Sequence, residues 1–353
     1  MNEKSFPTFE DESSIAVRSP QRWWLHIVLF VLTFITTTVA GVLWTYPDVA
    51  FDLEYLSLGL PYSVAVLFIL TVHEFGHYVA ARAHRVDTTL PYYIPFPTFP
   101  PFHLIFLNFG TFGAIIRTRS IVPSRKAIFD IGVAGPIAGF LATVLILIYG
   151  FQNLPAQDYL LTIHPDYDFA TNTIRGSEGL GLAFGNTLLY AGLQALFATP
   201  GAYVPPLSEV YHYPFLCAGW FGMFVTALNL IPLGQFDGGH TIYAMFGEAH
   251  KRIARVTFYS LLALSAPSIS DSVLRVLLSW ATGEDQGQII PFAEYFWSAW
   301  FVWALIALYV VKLYHPPVPD EHPLDPRRRI IGWLTLVIFV LTFSPNPIIV
   351  SMP

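Results

Sequence analysis

Apolar runs of about twenty residues alternate along this chain with short polar stretches that hold nearly all of its Lys, Arg, Asp and Glu. A run of that length spans the hydrocarbon of a bilayer as a helix, because only a helix or a closed barrel pairs every backbone N–H and C=O without water. The pattern therefore predicts an all-α polytopic membrane protein. Composition agrees: 54% of the 353 residues are hydrophobic and 12% are charged, against roughly 25% charged in soluble domains. The candidate spans are Trp24 to Trp44, Tyr62 to Ala83, Ala127 to Phe151, Pro214 to Leu233, Ile253 to Ala266, Phe292 to Leu313 and Ile330 to Phe343. About seven transmembrane helices are expected, within a range of six to eight, and the fifth segment is short.

Loop charge sets the orientation, since Lys and Arg are retained on the cytoplasmic side. Arg18 and Arg22 precede the first span, whereas the connection after it holds Asp48, Asp52 and Glu54 and no cation. Arg82, Arg85, Arg117, Arg119, Arg125 and Lys126 crowd the second connection, and Lys251, Arg252, Arg255, Lys312 and Arg327 to Arg329 mark later ones. This puts the N-terminus in the cytoplasm and the C-terminus outside. The chain then divides into a disordered cytoplasmic tail (1–20), a first anchor with its outer loop (21–58), a membrane core (59–248) and C-terminal transmembrane helices (249–353). The outer connection Gln152 to Tyr213 is acidic and carries an apolar patch, Leu180 to Phe197, expected at the outer leaflet. The acidic tail lacks the arginine-rich character of a transit peptide, which favours a bacterial cytoplasmic membrane. The lone Cys217 excludes an intrachain disulfide and a multi-cysteine metal site. A net charge of -6 without a long basic run excludes nucleic acid as a partner.

The second span contains Val72-His73-Glu74-Phe75-Gly76-His77, an HExxH pattern. On a helix its two histidines lie about 40° apart around the axis and roughly 6 Å apart along it. Two neutral imidazoles so placed can ligate one zinc ion, and Glu74, beside the first, can reach a water in an open coordination position. That is half of a hydrolytic site. A central carboxylate in a lipid-buried helix costs roughly 2.5–3.5 kcal/mol on insertion scales, so such groups are retained for function or to join helices by hydrogen bonds.

A catalytic zinc takes a third protein ligand, which inside a bilayer must come from another helix at the same depth. The fourth span ends, on the cytoplasmic side, in Asn229-Leu230-Ile231-Pro232-Leu233-Gly234-Gln235-Phe236-Asp237-Gly238-Gly239-His240. His77 also lies about a turn and a half from the cytoplasmic end of its own span. The depths agree and bring Asp237 within reach of both histidines; its alternative is a helix-end carboxylate in interfacial water. Pro232 and the glycines break the helix there, and the freed backbone groups call for a protein-lined or wet cavity. His240 is read as a supporting or solvent-facing histidine rather than as a ligand.

These two motifs resemble the signatures of the site-2 protease family of intramembrane metalloproteases, HExxH on one span and Asn-x-x-Pro-x(4)-Asp-Gly on another, here 160 residues apart between His77 and Asp237. The resemblance covers roughly Tyr62 to Phe246. It implies that His73, His77 and Asp237 bind one zinc ion per chain, that Glu74 is the catalytic base, and that Asn229 helps to hold the substrate backbone. It also implies a three-span catalytic core within 59–248, to which Gly132-Val133-Ala134-Gly135-Pro136-Ile137-Ala138-Gly139 contributes a glycine-rich helix. Asn108 to Ile116 resembles the family's membrane-associated β-hairpin. Ile105 to Thr118 is rich in Phe, Ile and Leu with turn-forming Gly110 and Gly113, so Gly110, Thr111, Phe112, Gly113 and Ala114 are candidate substrate contacts, by pairing with an unwound peptide. Pro91 to Phe102 reads as an aromatic interfacial loop. Gly135 and Gly139 form a small-xxx-small face for close helix packing. No connection is long enough for the PDZ domain of one family branch, so the closer likeness is to the PDZ-less bacterial and chloroplast members.

The function expected is that of a zinc-dependent intramembrane endopeptidase, which cleaves transmembrane segments of membrane proteins with a zinc-activated water. Its partners would be the lipid bilayer and a transmembrane protein substrate. The competing reading is a catalytically silent or transporter-like zinc-binding membrane protein. A transporter would need further ionisable residues through the outer half of the bundle, and the spans carry none there.

Overall fold

A computed structural model describes residues 22–46, 49–98, 108–174 and 181–351, and the tail of residues 1–20 lies outside them. In chain order the helices are α1 (Trp23–Thr45), α2 (Leu60–Ala83), α3 (Arg125–Gln152), α4 (Tyr159–Ile163), α5 (Leu188–Phe197), α6 (Pro214–Asn229), α7 (Asp237–Phe246), α8 (His250–Thr282), α9 (Trp300–Ile306) and α10 (Pro326–Thr342). Among the described residues, four runs are long and apolar enough to cross a membrane: α1, α2 with the 3-10 turn before it, α3, and α7 continued by α8. Helices α6 and α10 are shorter, at 16 and 17 residues, and α9 with its π-helical extension stops at Val311.

Three segments differ from the hydropathy reading. The fourth ends as a helix at Asn229 instead of Leu233, because the residue before a proline is disfavoured in the α conformation. The fifth runs from His250 to Thr282, through Pro267, instead of ending at Ala266. Its polar second half is held by the returning chain: Asp271 accepts hydrogen bonds from the backbone N–H groups of Ile289 and Ile290, and Arg275 donates to the Gln286 carbonyl. The sixth starts as a helix only at Trp300, after a 3-10 turn at Ala293–Tyr295.

Helices α2, α3 and α6 form the centre, and glycines set how closely they approach. A Cβ on Gly76 of α2 would lie 2.5 Å from the Ala134 carbonyl of α3. On α6, Gly219 and Gly222 make room for the Leu147 and Thr143 side chains of α3. At one end of this bundle a core of Tyr62, Phe151, Tyr190, Leu216, Trp220 and Met223 is buried beneath the connection between α3 and α6.

Among the described residues, three two-stranded antiparallel sheets accompany the helices. In the first, β1 (Tyr92–Pro95) pairs with β2 (Thr111–Ile115), Tyr93 opposite Ala114, with a bulge before Pro95. The strand expected around Thr111 therefore exists, but its partner lies in the segment Pro91 to Phe102 read as a loop. Gly110 and Gly113 both take positive φ, +77° and +101°, yet they shape β2 and do not turn a hairpin inside Ile105 to Thr118. Residues Ile105 to Leu107 lie outside the described residues. A second sheet pairs β3 (Tyr167–Asp168) with β4 (Thr173–Ile174). In the third, β5 (Gly181–Phe184) pairs with β6 (Ile348–Ser351), which brings the C-terminal strand to the connection between α3 and α6.

The other end of the bundle is tied by charge. Arg125 donates to the Tyr243 and Ala244 carbonyls at the end of α7 and to the Glu321 carbonyl. Asp130 of α3 accepts two hydrogen bonds from Arg328 of α10, at 2.8 and 2.6 Å, and lies 2.7 Å from His84 after α2. Bidentate Arg–carboxylate pairs of this kind carry geometric specificity as well as energy. Asp130→Ala should therefore lower stability by about 1–3 kcal/mol, read as a lower melting temperature of the detergent-solubilised chain, with Arg328→Ala similar and the double variant less than additive.

Candidate metal centre

His73 and His77 sit one turn apart on α2, both buried, with their imidazoles directed at α3. Their Nε2 atoms are 3.1 Å apart. The His77 Nδ1–H donates to the Ile131 carbonyl of α3 at 2.7 Å, which fixes the ring and leaves the Nε2 lone pair for a metal. The rings fit because α3 lacks side chains opposite them. A Cβ on Gly135 would overlap the His77 imidazole, and one on Gly139 would come within 2.9 Å of His73 Nδ1. The small-xxx-small face thus houses the two imidazoles, beyond the helix packing expected of it.

Asp237 arrives from the break between α6 and α7. After Asn229 the chain turns through Leu230 to Phe236, with Gly234 at φ +49° and its N–H donating to the Leu313 carbonyl. Gly238 and Gly239 then let the first turn of α7 press against the carbonyls of Leu230, Leu233 and Gly234, where side chains would collide. A carboxylate in the first turn of a helix is favoured by the helix dipole. Asp237 Oδ2 lies 3.5 Å from His73 Nε2 and 3.3 Å from His77 Nε2.

The three ligand atoms are thus 3.1, 3.3 and 3.5 Å from one another. Ligands of a tetrahedral zinc at bond lengths of about 2.0–2.1 Å stand roughly 3.3–3.4 Å apart, so this donor set fits the ion and leaves a fourth position open. Glu74 is buried beside the pair, on the side of the Ile116 backbone N–H just past β2. Ile116 points away from β1, since its neighbour Arg117 uses its carbonyl to bond Thr89 on the β1 side. The edge of β2 that carries no strand among the described residues therefore faces Glu74.

The remaining expected residues divide. Asn229 ends α6 with its amide nitrogen 3.3 Å from His73 Nε2. Phe112 is exposed and packs against Phe96, and Gly113 and Ala114 are half-buried. Gly110 and Thr111 are buried and already engaged: the Gly110 carbonyl accepts from Thr36 of α1, and the Thr111 hydroxyl donates to the Ile94 carbonyl. They anchor the strand and leave little surface for a substrate. His240 stands apart from the three ligand atoms, its ring against His315 and its Cβ close over Gly132. The Ile131 carbonyl carries no sequence signal, because any residue supplies one.

Two imidazoles and a carboxylate around one point, a second carboxylate beside them and a bundle of long apolar helices around both define a candidate metal site of the kind metalloenzymes use. The chain belongs to peptidase family M50, whose model matches residues 61–265. It is 34% identical over 222 residues to the probable zinc metalloprotease EGY1, chloroplastic, of Oryza sativa subsp. japonica, covering 62% of this chain and 33% of that protein. To the Arabidopsis thaliana protein of the same description it is 32% identical over 207 residues, 57% of this chain and 32% of that one. To the probable zinc metalloprotease EGY2, chloroplastic, of Oryza sativa subsp. indica it is 28% identical over 272 residues, 73% and 45%. The chain thus spans from about a third to under half the length of these curated relatives. No solved structure matches it. The findings agree with the site-2 protease resemblance and its chloroplast-type branch. The relatives named are chloroplastic, so they lend nothing to the bacterial membrane expected from the tail.

Gly135→Ala should displace the His77 ring and lower zinc content by one ion per chain relative to wild type. Gly139→Ala should weaken zinc binding less, and Gly192→Ala, where nothing lies within 4 Å, should leave it unchanged. Elemental analysis of the purified chain reads all three.

Proposed function

We propose that the chain is a zinc-dependent intramembrane endopeptidase that cleaves transmembrane segments of membrane proteins. The observation that carries this reading is the convergence of His73, His77 and Asp237 on one point, with Glu74 buried beside it on the side of β2. His73 Nε2, His77 Nε2 and Asp237 Oδ2 would hold one zinc. When bound, the ion supplies Lewis-acid polarisation of the scissile carbonyl and lowers the pKa of a water toward about 7.

The chain's own residues do the rest. A peptide bond inside a helix is shielded, so the substrate unwinds before attack, and its freed backbone groups need partners in hydrocarbon. The open edge of β2 offers them by strand addition, beside Phe112, Gly113 and Ala114. Glu74 takes a proton from the attacking water and returns it to the leaving amine. The Asn229 amide, no longer needed by a His73 lone pair committed to metal, donates to the substrate carbonyl. The Ile131 carbonyl holds His77 in the tautomer that ligates through Nε2.

In this reading α6, α9 and α10 complete about seven spans, the N-terminus and the metal centre face the cytoplasm, and the β1–β2 hairpin is associated with the membrane. Cationic side chains at one end of the bundle and acidic residues in the connection between α3 and α6 support that orientation.

Glu74→Gln keeps the shape but removes the proton acceptor. Cleavage of a single-span client in proteoliposomes should fall by about 10²–10⁴-fold, zinc content should stay at the wild-type value, and the uncut client should co-purify. A variant that cuts at the wild-type rate refutes the mechanism. For orientation, in a chain with Cys217 replaced by Ala, a cysteine at Asp166 should react with an impermeant thiol reagent added outside cells and one at Arg252 should not. The reverse pattern inverts the orientation.

A further inference from the structure

A second group of histidine and carboxylate side chains meets far from the metal centre, at the other end of α6. His164 follows α4 directly, and Glu209 and His212 bracket the 3-10 turn Val210–His212 that leads into α6. Along α6, some 16 residues or about 24 Å of helix separate this group from Asn229. His164 Nε2 lies 2.9 Å from His212 Nε2, and Glu209 Oε2 lies 3.8 Å from the first and 3.6 Å from the second. One point is about 2 Å from all three atoms, the length of a zinc–nitrogen or zinc–oxygen bond. The donor set, two imidazoles and one carboxylate, is the same as at the centre on α2 and α7.

The polar accounting here is incomplete without a ligand. Glu209 and His212 are only 5% and 4% exposed, and Glu209 Oε2 has no hydrogen-bond donor among the described residues. Its ion-pair neighbours there are these two histidines alone. A buried carboxylate oxygen without a donor carries an unpaid desolvation cost, whereas a divalent cation at the common point uses all three side chains as ligands. Neighbouring contacts frame the site: the Tyr159 hydroxyl of α4 donates to the His212 carbonyl at 3.0 Å, and Tyr211 packs on Trp44 of α1.

We infer that His164, Glu209 and His212 form a second zinc site that clamps α4, and the connection between α3 and α6, to the start of α6. Two imidazoles with one carboxylate select zinc over the oxygen-loving calcium and magnesium. The site closes the excursion of 48 residues between His164 and His212, and an ion that binds this folded arrangement and not the unfolded chain stabilises it by its binding free energy. The expected zinc content rises from one ion per chain to two.

The test is a zinc count on the full chain in detergent, dialysed against zinc buffered at a nanomolar free concentration. Wild type should hold two ions, His73→Ala/His77→Ala one, His164→Ala/His212→Ala one, and the fourfold variant none. If His164→Ala/His212→Ala misfolds, X-ray absorption on the ion kept by His73→Ala/His77→Ala decides instead, and should show two imidazoles and oxygen ligands. A His73→Ala/His77→Ala protein with no zinc overturns the second site, as does a wild type with one ion that His164→Ala/His212→Ala keeps. Both results leave the α2 centre standing. A His73→Ala/His77→Ala protein that keeps the full wild-type content sinks the α2 centre instead.

Discussion

Everything at the metal centre depends on the close approach of α2 and α3. Two imidazoles project from α2 into the space that side chains of α3 would otherwise fill, and the Ile131 carbonyl reaches one of them only because the two backbones are so near. Gly76 permits that distance from the α2 side, and Gly135 and Gly139 from the α3 side. In a bilayer no hydrophobic force drives helices together, so small residues and the packing they allow must do it. The same residues that bring the helices together therefore also create the volume in which the ligands stand.

The third ligand depends on a different device. A continuous helix from Pro214 onward would carry residue 237 some 12 Å past Asn229, beyond reach of α2. The break after Asn229 cancels that travel: the chain doubles back through Gly234, and Gly238 and Gly239 let α7 start against the carbonyls of the turn it has just left. Backbone groups freed by such a break need partners in the protein, and the Gly234 N–H donates to the Leu313 carbonyl of the C-terminal region. The region beyond α8 is thus coupled to the centre through the backbone, although it supplies none of the three ligands.

Much of this was legible in the sequence, and the rest was not for physical reasons. That His73, His77 and Asp237 come together could be read because helical period fixes the shared face of the two histidines and the break after Asn229 marks where a third group can enter. The first three spans could be read because their apolar runs are bounded by charge. The fate of Pro91 to Phe102 could not, because a strand paired with a distant partner leaves no local period when it holds only four residues, one of them a proline. Helix α8 outran its hydropathy because Asp271 and Arg275 find backbone partners in residues 286 to 290, a contact invisible in a local window.

The two His–His–carboxylate clusters show the same limit from opposite sides. In α2 the histidines are four residues apart, so the helix alone aligns them and a motif announces them. His164 and His212 are far apart in sequence and meet only because the connection between α3 and α6 folds back on itself over α4; Glu209 and His212, three apart, are the one local hint. A ligand set assembled by long-range folding couples its ion to the folding of the whole excursion, whereas a pair aligned by one helix keeps its alignment without the ion. Removal of zinc should accordingly loosen the outer connection before it disturbs α2, so the end of the molecule with no catalytic assignment is the one whose architecture is more sensitive to the metal.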